Sequence, residues 1–161
     1  MTIKVGDRLP QVSLREMTTD GMKTRTVAEL TRGRRVVMIG LPGAFTPTCS
    51  ARHVPSYIDR RSELKARSID DIFCVSVNDA FVMDAWSKSL NAPGKIRMLA
   101  DGNGEFTRAV GFDSDRFEVG MGTRSRRYSM FVEDGVGQVL NFEESGKYEN
   151  SDAGTLLTRI V

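Results

Sequence analysis

The chain has 161 residues, 27% charged and 40% hydrophobic, and its 23 basic and 21 acidic side chains leave a net charge of +2. That length and balance predict one globular domain over residues 1–161 with a real core, and they argue against a concentrated basic face for nucleic acid. The N-terminus MTIKVGDRLP lacks an apolar signal core, and the longest apolar run, VVMIGLPGAF at 36–45, is too short to span a membrane.

The first strong element is RVVMIG at 35–40, a continuous apolar run that reads as a buried strand. In TPTC, Thr46 is placed to cap a helix and Pro47 to open it, giving a helix over about 47–67 that Pro55 should kink or divide. IDDIFCVSV (69–77) reads as the next buried strand. NDAFVMDAWSKSLN (78–91) reads as a helix capped by Asn78 or Asp79, with an apolar face of Phe81, Val82, Ala85, Trp86 and Leu90. IRMLA (96–100) is a third strand and GEFTRAVG (104–111) a short helix ending at Gly111. YSMFVED and GQVLNFE (128–134 and 137–143) predict a hairpin about Asp134-Gly135, and DAGTLLTRI (152–160) a closing helix. This order implies a three-layer α/β/α domain, and sites in such sheets collect at the carboxyl ends of strands.

The turn after the first buried strand is LPGAFTPTCSARHVP (41–55), which holds one of two cysteines, Cys49, and the only histidine, His53. A cysteine in the first turn of a helix meets unpaired N–H groups and the positive end of the helix dipole, both of which favour the thiolate. The residues alone leave a second reading open, a small buried hydrophobe. His53 lies on the same helical face as Cys49, but a Cys/His acyl-transfer dyad lacks an orienting third residue, so a structural His53 is expected. A dithiol exchange site needs C-x-x-C, whereas this chain reads CSAR. One His and two Cys do not supply a conventional zinc site, so neither metal nor other cofactor is expected. Two cysteines without an export signal predict a reducing, cytoplasmic setting.

The run PGAFTPTC (42–49) resembles the P-x-x-x-T-x-x-C signature of peroxiredoxins. PGAFTPTCS followed by H-V-P, together with GTRSRRYSMFVEDG (122–135), is similar to the type II, peroxiredoxin-5-like subfamily. The resemblance spans essentially the whole chain. It implies a thioredoxin fold with extra N-terminal elements and a mixed central sheet. It also implies a thiol peroxidase acting on hydrogen peroxide and alkyl hydroperoxides through a Cys49 sulfenic acid. Carried over by position, Cys49 is the peroxidatic cysteine, Thr46 bonds the thiolate and the peroxide, and Pro42 shields the thiolate. Arg127 is the active-site arginine and Arg124 supports it, while Arg126 is expected to be a solvated loop charge. A homodimer is implied as well; core packing is the expectation for Phe45, Phe81 and Trp86.

Cys74 lies in an apolar strand, where packing is the common fate of a cysteine. The resemblance also allows it to resolve Cys49, but pairing from mid-strand would require local unwinding. The C-terminal region where other members carry a resolving cysteine reads YENSDAGTLL, with Ser151 in its place. Reduction by an external thiol, glutathione with glutaredoxin or thioredoxin, is therefore the expectation. The alternatives are a Cys49–Cys74 disulfide, a thiol–disulfide oxidoreductase and a redox-sensing interaction protein.

Overall fold

The structure, a computed structural model, describes residues 2–160. Seven strands form one mixed sheet: β1 (Ser13–Thr18), β2 (Gly21–Thr26), β3 (Arg35–Gly40), β4 (Asp71–Ser76), β5 (Arg97–Ala100), β8 (Tyr128–Glu133) and β9 (Val136–Phe142). Between them, β6 (Asp113–Arg116) and β7 (Gly122–Ser125) pair as a separate ribbon. The helices are α1 (Val27–Thr31), α2 (Val54–Asp59), α3 (Arg61–Ala66), α4 (Ala80–Ser89), α5 (Glu105–Val110) and α6 (Ala153–Leu157). The spatial order is β2-β1-β5-β4-β3-β8-β9, with β5, β4 and β3 parallel and the outer pairings antiparallel.

The central strands read as unbroken apolar runs because both faces of the sheet are covered. Side chains alternate across it. Val37, Ile39 and Cys74 pack with Tyr57, Trp86 and Leu156 on one face; Val36, Met38 and Phe73 pack with Leu30 and Phe106 on the other. This is the expected three-layer thioredoxin fold. The β8–β9 hairpin turns at Asp134 and Gly135, whose φ values of 48° and 78° suit a tight turn matched to sheet twist.

Several local expectations change. The 47–67 helix does open at Pro47, but Cys49–His53 form a π-helical turn in which the Val54 N–H bonds the Cys49 carbonyl. Pro55 then falls in the first turn of α2, where a missing N–H is tolerated, and the break comes instead at Arg60. Asp79, not Asn78, caps α4 by accepting from the Val82 N–H. The buried face of α4 is Ala80, Met83, Trp86 and Ser87, rotated from the expected one. Trp86 is buried as expected, whereas Phe45 and Phe81 are 57% and 68% exposed, contrary to the packing expected of them.

The first helix and the β6–β7 ribbon escape the hydrophobic-period reading. Ribbon strand β6 is polar, DSDR, and β2 buries no residue, so neither shows the alternation that marks a half-buried strand. Helix α1 did carry a local signal: Thr26 and Glu29 form a reciprocal capping box.

Candidate active site

Strand β3 ends at Gly40, paired with Tyr128 at the start of β8. A Cβ on Gly40 would lie 2.1 Å from the Tyr128 ring, so glycine permits this close approach. The register sets Arg127 beside the loop that leaves β3. That loop is pinned at several points. Ala44 N–H donates to Asn78 Oδ1 at 2.9 Å, and Arg124 Nη1 donates to the Pro42 carbonyl at 3.4 Å. Phe45 sits in the left-handed region at φ 62°, a backbone state unusual for a bulky residue.

Cys49 is fully buried, and its Sγ accepts from Arg127 Nη2 at 3.3 Å. The same guanidinium donates through Nη1 to His53 Nδ1 at 2.8 Å. A residue 78 positions away thus brings a permanent cation to the sulfur. Thr46 faces the same loop, but its hydroxyl donates to the Gly43 carbonyl at 2.7 Å instead of to Cys49. The reason is local: the turn that starts the helix presents a carbonyl three residues back. Its main-chain carbonyl accepts from Ser50, so Thr46 begins the helix by backbone, not by the expected side-chain cap.

Arg124 touches the loop carbonyl and not the sulfur. Arg126 is exposed, as expected of a loop charge, yet it stacks 4.0 Å from the centre of the Phe142 ring. A cavity of about 100 Å³ is lined by Pro42, Thr48, Arg126, Arg127, Glu143 and Lys147. Arg127 is thus shared between this small polar space and the Cys49 sulfur.

Both cysteines are free thiols, and both are fully buried in one apolar cluster. Cys74 lies in β4 between Ile39 and Met98 of the neighbouring strands. Burial pushes its thiol well above the ordinary range; neighbouring Cys49 adds to this, and Arg127 opposes it.

The composition and spacing did not reveal what His53 does. Its ring is fully buried, with Nε2 3.1 Å from the Ser151 carbonyl. Burial, then the charge of Arg127, hold it down to about 3 from 6.5, against the Ser151 carbonyl. The ring is therefore neutral at pH 7 and a weaker base than a free imidazole. The sequence signal was only its place on the Cys49 helical face. Glu143, which holds the segment carrying Ser151, gave no signal at all.

Residues 4–157 match the Redoxin family. The chain is 48% identical over 160 residues to Peroxiredoxin-2E, chloroplastic, of Arabidopsis thaliana, covering 97% of this chain and 68% of that protein. It resembles the structure of reduced Prx3 in complex with hydrogen peroxide from Vibrio vulnificus, with a TM-score of 0.95 at 45% identity, covering 99% of this chain and 100% of that one. Peroxiredoxin 5 from Alvinella pompejana is also similar, with a TM-score of 0.88 at 35% identity over 98% of this chain and 97% of that one. A buried cysteine at the start of a helix, touched by an arginine on a thioredoxin fold, is thus accompanied by kinship over nearly the whole length: the chain belongs to the peroxiredoxin family of thiol-dependent peroxidases, in its type II, peroxiredoxin-5-like branch.

Proposed function

We propose that Cys49 is the peroxidatic cysteine and that Arg127 and Thr46 are the side chains that handle the peroxide. The observation that carries this reading is the 3.3 Å contact of Arg127 Nη2 with the buried Cys49 Sγ. The thiolate attacks the hydroxyl oxygen of a hydroperoxide, and the O–O bond breaks. An S–O bond forms, and the other oxygen leaves with the bonding pair to take a proton as water or alcohol. Cys49 becomes the sulfenic acid, oxidised by two electrons, and the peroxide is reduced by two. Negative charge moves from sulfur to the leaving oxygen, so a guanidinium at the sulfur also lies near where that charge develops. Thr46 spends its proton on Gly43, which leaves its oxygen lone pairs to accept from the peroxide O–H. Pro42 restricts water at the sulfur, and Arg124 holds the Pro42 carbonyl.

Cys49 sulfenate is reduced by an external thiol, glutathione with glutaredoxin or thioredoxin. Two observations support this: Cys74 sits mid-strand in the core, and the C-terminal segment YENSDAGTLL carries Ser151 and no cysteine. Treating reduced protein with one equivalent of peroxide and weighing it intact tests the assignment. A gain of one oxygen at Cys49 is expected. Loss of two protons, matching a Cys49–Cys74 disulfide, overturns the external-thiol reading. Parallel assays with the two reductant systems then identify the donor.

The acting unit is the single domain 1–161, working as a homodimer in a reducing, cytoplasmic setting. Support for the dimer comes from exposed Phe45 and Phe81, which flank the Ala44–Asn78 tie beside the Cys49 loop. Support for the compartment comes from the two free thiols. Light scattering on wild type and Phe45→Asp tests the dimer; a monomeric wild type refutes it.

A further inference from the structure

Arg127 has two terminal nitrogens, and only one meets the sulfur. Nη1 is 2.8 Å from His53 Nδ1. Every guanidinium N–H is a donor, so His53 Nδ1 is the acceptor and its proton resides on Nε2. Nε2 donates to the Ser151 carbonyl at 3.1 Å, and the Tyr57 hydroxyl donates to the same oxygen at 2.6 Å.

The place of that carbonyl is set by one carboxylate. Glu143 Oε2 accepts from the N–H groups of Glu149, Asn150 and Ser151 at 2.8, 2.7 and 2.8 Å, and from Ser151 Oγ at 2.8 Å. Glu143 is only 2% exposed and Ser151 fully buried. Burial alone would raise the Glu143 carboxyl, but these donors outweigh it and hold it below its ordinary value. One continuous line of hydrogen bonds therefore runs from Glu143 through Ser151 and His53 to Arg127 and Cys49. It joins the segment after β9 to the π turn and to the residue before β8.

A long arginine side chain has many rotamers, and transition-state stabilisation needs its fork in one of them. We propose that His53, held by Glu143 through the Ser151 carbonyl, is a positioning residue that fixes the Arg127 guanidinium with Nη2 on the Cys49 sulfur. The proposal rests on the reading of Arg127 as part of the peroxidase site. His53 acts as a neutral acceptor and takes no proton during the reaction. Glu143 acts two bonds further out, by fixing where the histidine ring can point.

The test uses the differing shapes of two amides. Asparagine at 53 can place an acceptor near the Nδ1 position, whereas glutamine can keep the donor near Nε2 and lose that acceptor. The first peroxide oxidation of Cys49 can be followed in single turnover by Trp86 fluorescence, because Trp86 Nε1 donates to Ser50 Oγ next to Cys49. His53→Gln should slow this step about 10- to 100-fold, and His53→Asn should recover most of the loss. Both effects should shrink to within about threefold on an Arg127→Ala background, because a misplaced guanidinium and an absent one are equivalent. Glu143→Gln should produce a smaller loss that is likewise absent in the Arg127→Ala background, which keeps the test available if a His53 variant does not fold. Equal losses in His53→Gln and His53→Asn, or losses that persist undiminished without Arg127, overturn the positioning role. An Arg127→Ala single variant with wild-type rate instead overturns the underlying assignment of the site.

Discussion

Cys49 and Cys74 share one apolar cluster, and neither is exposed. Their surroundings nevertheless differ in kind. Cys74 is held on a strand by Ile39 and Met98 on either side, and burial keeps its thiol protonated. Cys49 lies in a π turn where a guanidinium meets its sulfur. Burial is therefore common to both thiols. The difference is a guanidinium brought into contact with one sulfur from a distant loop, so the two are set apart by tertiary placement and not by exposure.

The largest expected break in this comparison is Cys49→Ser, which should abolish peroxide consumption, whereas Cys74→Ser should keep it within about threefold. A peroxide assay with saturating external thiol reads both. Arg127→Ala should come next, lowering the second-order rate with peroxide about 10²- to 10³-fold, or roughly 3–4 kcal/mol, if it acts as other lost oxyanion donors do. It should also slow Cys49 alkylation at neutral pH and leave Cys74 unmodified in the folded protein.

Gly43→Ala gives a finer test of the Cys49 side alone. Its Cβ would lie 2.7 Å from Arg124 Nη1, the mobile end of a side chain, so the fold should persist while Arg124 leaves the Pro42 carbonyl. A fall of about tenfold in peroxide rate with little change in Tm is expected. Cys74→Ala should do the reverse, lowering stability by about 1 kcal/mol in urea unfolding without altering the first oxidation step.

The remaining test concerns pH. Burial and Arg127 depress the folded-state value of His53, which faces Arg127, Tyr57, Tyr148 and the Ser151 carbonyl. The unfolded chain therefore takes up this proton first as pH falls. The associated stability is present above pH 6.5 and declines toward about 3, at roughly 1 kcal/mol per pH unit. Glu16 and Glu143 are held below 4.5 and titrate lower down. Urea unfolding between pH 6.5 and 5 should show this slope in wild type and a flatter one in His53→Asn.

Much of the framework was legible because it rests on local rules. Unbroken apolar runs marked β3 and β4, Asp134-Gly135 marked the hairpin, and Thr46-Pro47 marked where the helix begins. Cys49 stood out by its place at that helix start, and Arg127 through the resemblance of its segment. The destination of the Thr46 proton, the π turn and the rotated face of α4 were not legible, because each depends on which neighbouring group lies closest in space.

What the sequence determined by itself was therefore the order of the main strands and helices from β3 onward, apart from the β6–β7 ribbon, and the place of Cys49 at a helix start, since periodicity, capping and turn chemistry act over a few residues. Only the tertiary structure decided how Arg127 is held. Its partner His53, and the Ser151 and Glu143 that hold His53 in turn, come from segments far apart in the chain, and only the packing of those segments brings their donors and acceptors within hydrogen-bond reach.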